Sequence, residues 1–170
     1  EPYFLKVVKR RWYVVARSPY YSERNKEQGV KPSDVYLVYA LDRISDIQDT
    51  GKTFKMKKNF DVHSYFEGCC GVITSNESPQ KIVLRAYNGF ADYLRTLPLH
   101  ESQREIGSDD ESTLFEYHLK PTFDFYQLVL AQGDQVEVLE PEPVRNEIRN
   151  FAQNMLDYYT QKKEEKSCKE

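Results

Sequence analysis

From residue 81 onward the spacing of apolar residues switches repeatedly between the alternation of a strand and the three-to-four-residue step of a helix. The order of those switches restricts the fold more than any single motif. Residues 81–87 alternate, with Ile82, Leu84 and Ala86 on one face and Val83, Arg85 and Tyr87 on the other. Asn88 can then cap a helix carrying Phe90, Tyr93, Leu94 and Leu97, which Pro98 stops. Residues 100–106 and 114–119 flank the Gly107-Ser108-Asp109-Asp110 turn and read as a hairpin, with Phe115, Tyr117 and Leu119 facing a core. Thr122 opens a second helix that Gly133 ends, and residues 136–139 form a short apolar strand. Strand, helix, strand, strand, helix, strand is the order of the ferredoxin-like split unit. A last helix follows Pro141 and Pro143, striped by Val144, Ile148, Phe151, Met155 and Tyr159, and a charge-dense end at 163–170 reads as frayed.

The first third reads differently. Residues 3–8 and 12–16 are rich in β-branched and aromatic side chains, with Lys9-Arg10-Arg11 as a tight turn between them. Residues 18–32 are polar and carry Gly29 and Pro32, so they read as a loop. Residues 34–41 form a mostly apolar strand, expected to be buried on both faces. Residues 42–54 are expected to continue into a further strand through Ile44 and Ile47, and Phe60-Asp61 opens a short helix. Short strands on short loops predict a small sandwich or barrel. The polar, Pro-bearing stretch before Lys81 divides the chain into a domain over 1–75, a linker at 76–80, and a second domain over 81–162.

Charge is divided in the same way. Residues 1–60 hold 13 Lys and Arg against 7 Asp and Glu, whereas residues 61–170 hold 11 against 20, giving the net −3. A basic first part on an acidic second part suits either a phosphate-binding module on a support or ordinary surface variation, and charge alone does not decide between them. Cys69, Cys70 and Cys168 show neither a disulfide framework nor metal-ligand spacing, and His63 and His118 lack partners for a metal site. No cofactor or metal is expected, and the cysteine pattern predicts a reduced, cytoplasmic protein. No apolar run approaches the ~18 residues of a membrane span. The chain opens on Glu1 inside what reads as a strand, which predicts a piece of a longer protein.

Two motifs are more specific. Arg11-Trp12-Tyr13-Val14-Val15-Ala16 and Tyr39-Ala40-Leu41-Asp42-Arg43-Ile44 together resemble the WYL domain of bacterial transcription regulators. Leu97-Pro98-Leu99-His100-Glu101-Ser102-Gln103 and Val136-Glu137-Val138-Leu139-Glu140-Pro141 are similar to the extension that follows WYL domains. The resemblance spans about residues 2–160, with four anchors in order. It implies an SH3-like or Sm-like barrel, then a ferredoxin-like extension with a C-terminal helix. It also implies a sensor of nucleotides or short nucleic acid that acts as a homodimer and reaches promoter DNA only through an N-terminal domain absent from this sequence. Val14 stands where the naming motif has Leu, and Leu37 where many members carry Arg, so one anion contact is lost or supplied elsewhere.

Candidate ligand residues follow. Arg43, between Leu41 and Ile44, is either half-buried against Asp42 or Asp46 or a fork for phosphate, and the resemblance favours the fork. Tyr13 is either a core aromatic or a pocket residue that bonds a phosphate or stacks on a base. Trp12, on the opposite strand face, is expected in the core. Arg17 and Tyr39 are weaker pocket candidates. His100, Ser102 and Gln103 read as polar strand residues or as ligand contacts. Two residues apart on a strand, His100 and Ser102 are not expected to pair as base and nucleophile, and with no orienting acid specified no catalytic residue is assigned.

Overall fold

The computed structural model describes residues 1–31, 34–87 and 89–160. Asn88, Pro32, Cys168 and the charged end at 163–170, all used in the sequence reading, lie outside the described residues. The chain is mixed α/β with two antiparallel sheets and a C-terminal helix. It divides into two compact units, one of residues 1–67 and 71–74, the other of residues 68–70 and 75 onward.

In the first unit, β1 (Pro2–Val8) and β2 (Arg11–Arg17) form a hairpin closed by Lys9 and Arg10, at φ 48° and 65°. Two positive φ angles in a two-residue turn match the twist of the flanking strands, so the hairpin takes this turn although Lys9 and Arg10 carry the left-handed strain that Gly or Asn would avoid. β3 (Tyr36–Ala40) completes a sheet in the order β1-β2-β3. Between β2 and β3, where the sequence reads as a loop, Pro19–Glu27 is a helix, α1. Ser18 caps it by accepting from the Tyr21 N–H, and Pro19 occupies its first turn, where its missing donor costs nothing. Apolar periodicity cannot reveal this helix because its buried residue is polar. Ser22 Oγ donates to the Ser18 carbonyl at 2.6 Å and accepts from the Val35 N–H at 3.0 Å.

Two further expectations fail here. β3 is only half-buried, and after it Leu41–Arg43 is a single 3-10 turn rather than the start of another strand. No strand is described across 44–61, and Ile47 is 81% exposed. That stretch is fastened instead by aromatic contacts. Tyr3, buried at a bulge in β1, packs on Phe54 (5.9 Å), Tyr36 (5.2 Å) and Phe60 (5.2 Å) between ring centroids. Each such pair contributes about 0.5–1.5 kcal/mol beyond its area. The short helix α2 (Val62–Tyr65), capped by Asp61, adds the Tyr65 hydroxyl donating to the Tyr36 carbonyl at 3.2 Å.

In the second unit the elements run β4 (Gln80–Tyr87), α3 (Ala91–Thr96), β5 (Arg104–Ser108), β6 (Ser112–Leu119), α4 (Phe123–Leu130), β7 (Val136–Glu140) and α5 (Glu142–Thr160). The sheet order is β5-β6-β4-β7, with every neighbour antiparallel. Ile82, Leu84 and Ala86 from β4 meet Phe115, Tyr117 and Leu119 from β6, and Leu94, Phe125, Val129 and Val144 close over them from the helices. The hairpin turn lies beyond Ser108, so Gly107 and Ser108 belong to β5, which shifts register between Glu105 and Gly107. Gly68 belongs to this unit, and its backbone (φ 68°) lies so close to Pro79 that an added Cβ would sit 2.8 Å from Pro79 Cγ. Its carbonyl accepts from the Lys120 N–H at 2.7 Å.

Candidate ligand site

On β2 the faces alternate as expected, but they are assigned the other way round. Val15 is fully buried, and Tyr13, on the same face, is half-buried. Trp12 is 53% exposed, so the expectation of a core tryptophan is corrected. The α2 side and residues 54–60 pack over the Tyr3 cluster, leaving the Trp12 face without that cover.

Cross-strand register places the remaining candidates. Tyr13 pairs with Lys6 on β1 and Ala40 on β3. Lys6 itself extends over the Phe66 ring, its Nζ 3.6 Å from the centroid. Tyr39 pairs with Val14, so it lies on the Trp12 face and is 46% exposed. Tyr13 and Tyr39 thus point to opposite sides of the sheet.

Arg17 is committed elsewhere. Its Nε donates to Asp34 Oδ1 and its Nη1 to Glu1 Oε2, both at 2.9 Å, and only a tenth of its side chain is exposed. Lys57 Nζ reaches the same carboxylate at 2.6 Å. Burial alone would raise the Asp34 pKa, but the hydrogen bonds from Lys57 and Arg17 outweigh it and hold the carboxyl below its ordinary range. Arg43 is at the other extreme. It is exposed in the 3-10 turn, and Asp42 beside it is taken by Arg11 at 3.1 Å, so Asp42 does not hold it. Its forked guanidinium faces solvent.

His100, Ser102 and Gln103 fall in the second unit, in a turn before β5. That segment is not a strand, so the strand reading of residues 100–103 is corrected, and the His100 and Ser102 side chains do meet in a hydrogen bond. Ser102 Oγ lies 2.8 Å from His100 Nδ1, which also accepts the Ser102 N–H at 3.2 Å. Nδ1 is therefore an acceptor, and the Ser102 hydroxyl donates to it while accepting the His118 N–H at 2.9 Å. Burial lowers the His100 pKa, against a smaller opposing effect of the Glu101 charge. The arrangement ties a turn to β6. Among the described residues no carboxylate hydrogen-bonds the ring, as a hydrolytic triad would need.

Gln103 has a structural task that its sequence position did not advertise. Its Nε2 donates to the Leu94 carbonyl at 2.7 Å, while its Oε1 accepts from the buried Tyr117 hydroxyl at 2.8 Å. The same unit has an open cavity of about 540 Å³ bordered by Tyr87, Asp92, Arg95, Asp109 and Ser112. None of the sequence-predicted site residues lines it. Of its charges, Arg95 joins Asp92 and Glu105, and Asp109 caps the 110–112 turn.

What this second unit is similar to follows from its sequence. Residues 78–156 match the WCX domain. WCX domains are found in WYL-containing regulators. The WCX match begins just before β4 and ends inside α5, so it contains the whole β5-β6-β4-β7 sheet and a little under half of the chain. Among solved structures, proteasome accessory factor B/C (PafBC) of Arthrobacter aurescens is similar over 95% of this chain, at 19% identity and a TM-score of 0.41. This chain covers 22% of the length of that one, and a likeness so loose carries no argument by itself. No curated protein matches the sequence.

Proposed function

We propose that the chain is the regulatory, ligand-sensing half of a bacterial transcription regulator, and that it has no catalytic role. The WCX match over residues 78–156 carries this reading. The Trp12-Tyr13 and Tyr39–Ile44 motifs add a WYL-like first unit immediately before it, in the order such regulators have. In this reading the first unit is a small SH3-like or Sm-like barrel built on the β1-β2-β3 sheet. The second is ferredoxin-like, for which the β-α-β-β-α-β order and the antiparallel β5-β6-β4-β7 sheet speak directly.

The ligand is anionic, a nucleotide or a short single strand of nucleic acid. Support comes from the basic balance of residues 1–60 and from Arg43, exposed in its turn. Tyr13 and Tyr39 offer aromatic surface on either side of the sheet. Arg17, held by two carboxylates, acts as a brace rather than a ligand contact. Binding shifts the population between two arrangements of a homodimer and so alters promoter binding by a further, DNA-binding domain. The chain works in the cytoplasm. No helix is long and apolar enough to cross a membrane, as determined for the described residues.

The test is fluorescence anisotropy with a labelled 15-nucleotide oligo-dT and with a labelled nucleotide, at 50 and 300 mM NaCl. Binding that weakens steeply with salt supports the reading. The competing reading, a dimerisation scaffold without a ligand, is favoured by the exposed apolar end of α5, where Tyr158 and Tyr159 lie in the open. A dimer in sedimentation velocity that binds neither probe would establish that reading instead.

A further inference from the structure

The segment Gly51-Lys52-Thr53-Phe54-Lys55-Met56-Lys57-Lys58 has no helix or strand, yet it is fixed in place. Phe54 stacks on Tyr3, and the Lys57 N–H donates to the Tyr3 hydroxyl at 3.1 Å. The Lys57 ammonium is neutralised by Asp34. The carboxylates nearest in sequence are turned to backbone N–H groups rather than to the lysines of this segment. Asp49 accepts from the Gly51 N–H, and Asp61 caps α2 through His63 and Ser64. Lys52, Lys55 and Lys58 remain exposed, three positive charges at three-residue intervals on a strap anchored by its Phe and its fourth Lys.

We propose that this strap is a phosphate-tracking strip, and that the anionic ligand of the first unit is a run of linked phosphates rather than a single one. The inference rests on the anion-binding reading above and sharpens it. Lys52 and Lys58 are six residues apart with no helix to bring them onto one turn, a contour of up to about 20 Å. At that extension one phosphate reaches only one end of the row. A chain of phosphates can reach both, releasing a counterion at each contact. Anchoring also reduces the ordering that binding demands, because the backbone is already held by Tyr3. The shared chemistry is a linear polyanion, whether a phosphodiester chain or inorganic polyphosphate.

The experiment compares the 170-residue chain with the triple variant Lys52→Gln/Lys55→Gln/Lys58→Gln. A charge-matched control carries Arg24→Gln/Lys26→Gln on α1 with Lys31→Gln. Each is titrated with oligo-dT, medium-chain polyphosphate and thymidine monophosphate from 50 to 300 mM NaCl, with thermal melts to confirm folding. The expected result is a fall of about two in the slope of log affinity against log salt for oligo-dT in the strap variant, at ~0.7 per phosphate contact. The control should change by less than one, and monophosphate binding should be unaltered. Tight polyphosphate binding would identify the phosphate row alone as the determinant, and oligo-dT preferred over polyphosphate would show that bases contribute beside it. Wild type that binds oligo-dT while the strap variant keeps its slope, or a control that loses as much, overturns the strip and leaves the anion-binding reading standing. Wild type that binds no probe overturns both.

Discussion

The two units solve the problem of cohesion in different ways. The second wraps α3, α4 and α5 over one face of a four-stranded sheet and buries Ile82, Leu84, Phe115, Tyr117 and Phe125 completely. The first has a three-stranded sheet in which Tyr3 and Val15 are the buried hydrophobic residues, and it relies on an aromatic cluster and the Arg17–Asp34–Lys57 charges. The thin core of the first unit leaves Trp12, Tyr39, Leu5 and Val7 exposed with basic residues beside them. If the first unit binds the ligand as proposed, support and recognition are divided between the units, and each prediction below probes one side of that division.

The largest effect should come from the second core. Phe125→Ala removes a fully buried ring and should cost about 3–5 kcal/mol in urea denaturation followed by far-UV circular dichroism. Trp12, the single tryptophan, reports on the first unit alone. If its fluorescence transition in wild type falls at or above the urea concentration of the circular dichroism transition, the first unit is not the weaker one and the comparison fails.

Gly68→Ala should come next, at about 2 kcal/mol, from the left-handed backbone and the collision with Pro79. An unchanged melting temperature would mean that the 68–70 segment is not seated as described. Gln103→Ala should cost about 1–3 kcal/mol, because the Tyr117 hydroxyl is left buried without its acceptor. Gln103→Glu, which keeps an acceptor, should recover part of that loss.

The smallest effect is a pH dependence in the first unit. Asp34 has a folded pKa below its unfolded value, so its contribution is complete above pH 3.8 and is lost as pH falls through the lower folded pKa. Asp34→Asn should therefore flatten the acid limb of the Trp12 unfolding profile below about pH 4 while leaving the neutral region lowered but level. A profile parallel to wild type in acid would remove Asp34 from the account.

Legibility followed the same division. In the second unit the elements around the core, β5 excepted, carry an apolar face, so Ile82–Leu84–Ala86 and Phe115–Tyr117–Leu119 could be read from alternation alone. In the first unit the ordering forces are polar or aromatic and act over distance. α1 is organised around Ser22, and the stretch after β3 is held by Tyr3, some fifty residues earlier in the chain. Periodicity has no signal for either. Among the candidate site residues, Arg43 and Tyr13 were readable as chemistry, but their setting was not. The Ser22–Val35 bond, the pairing of Asp42 with Arg11, and the capture of Arg17 by Asp34 are tertiary facts. Gln103 could have been suspected only from a polar side chain close to a hairpin whose tyrosine needs a partner.

The central claim, that the first unit senses an anion through side chains that do not hold it together, is tested most directly by Arg43→Ala. The paired measurement is its affinity for labelled oligo-dT at 50 mM NaCl and its melting temperature under the same conditions. A charge-assisted contact to phosphate is worth about 1.5–3 kcal/mol, so affinity should fall roughly tenfold to a hundredfold. The melting temperature should stay within a degree or two of wild type, since Arg43 is exposed and Asp42 is paired with Arg11 instead. Unchanged affinity, or a melting temperature many degrees lower, would contradict the account.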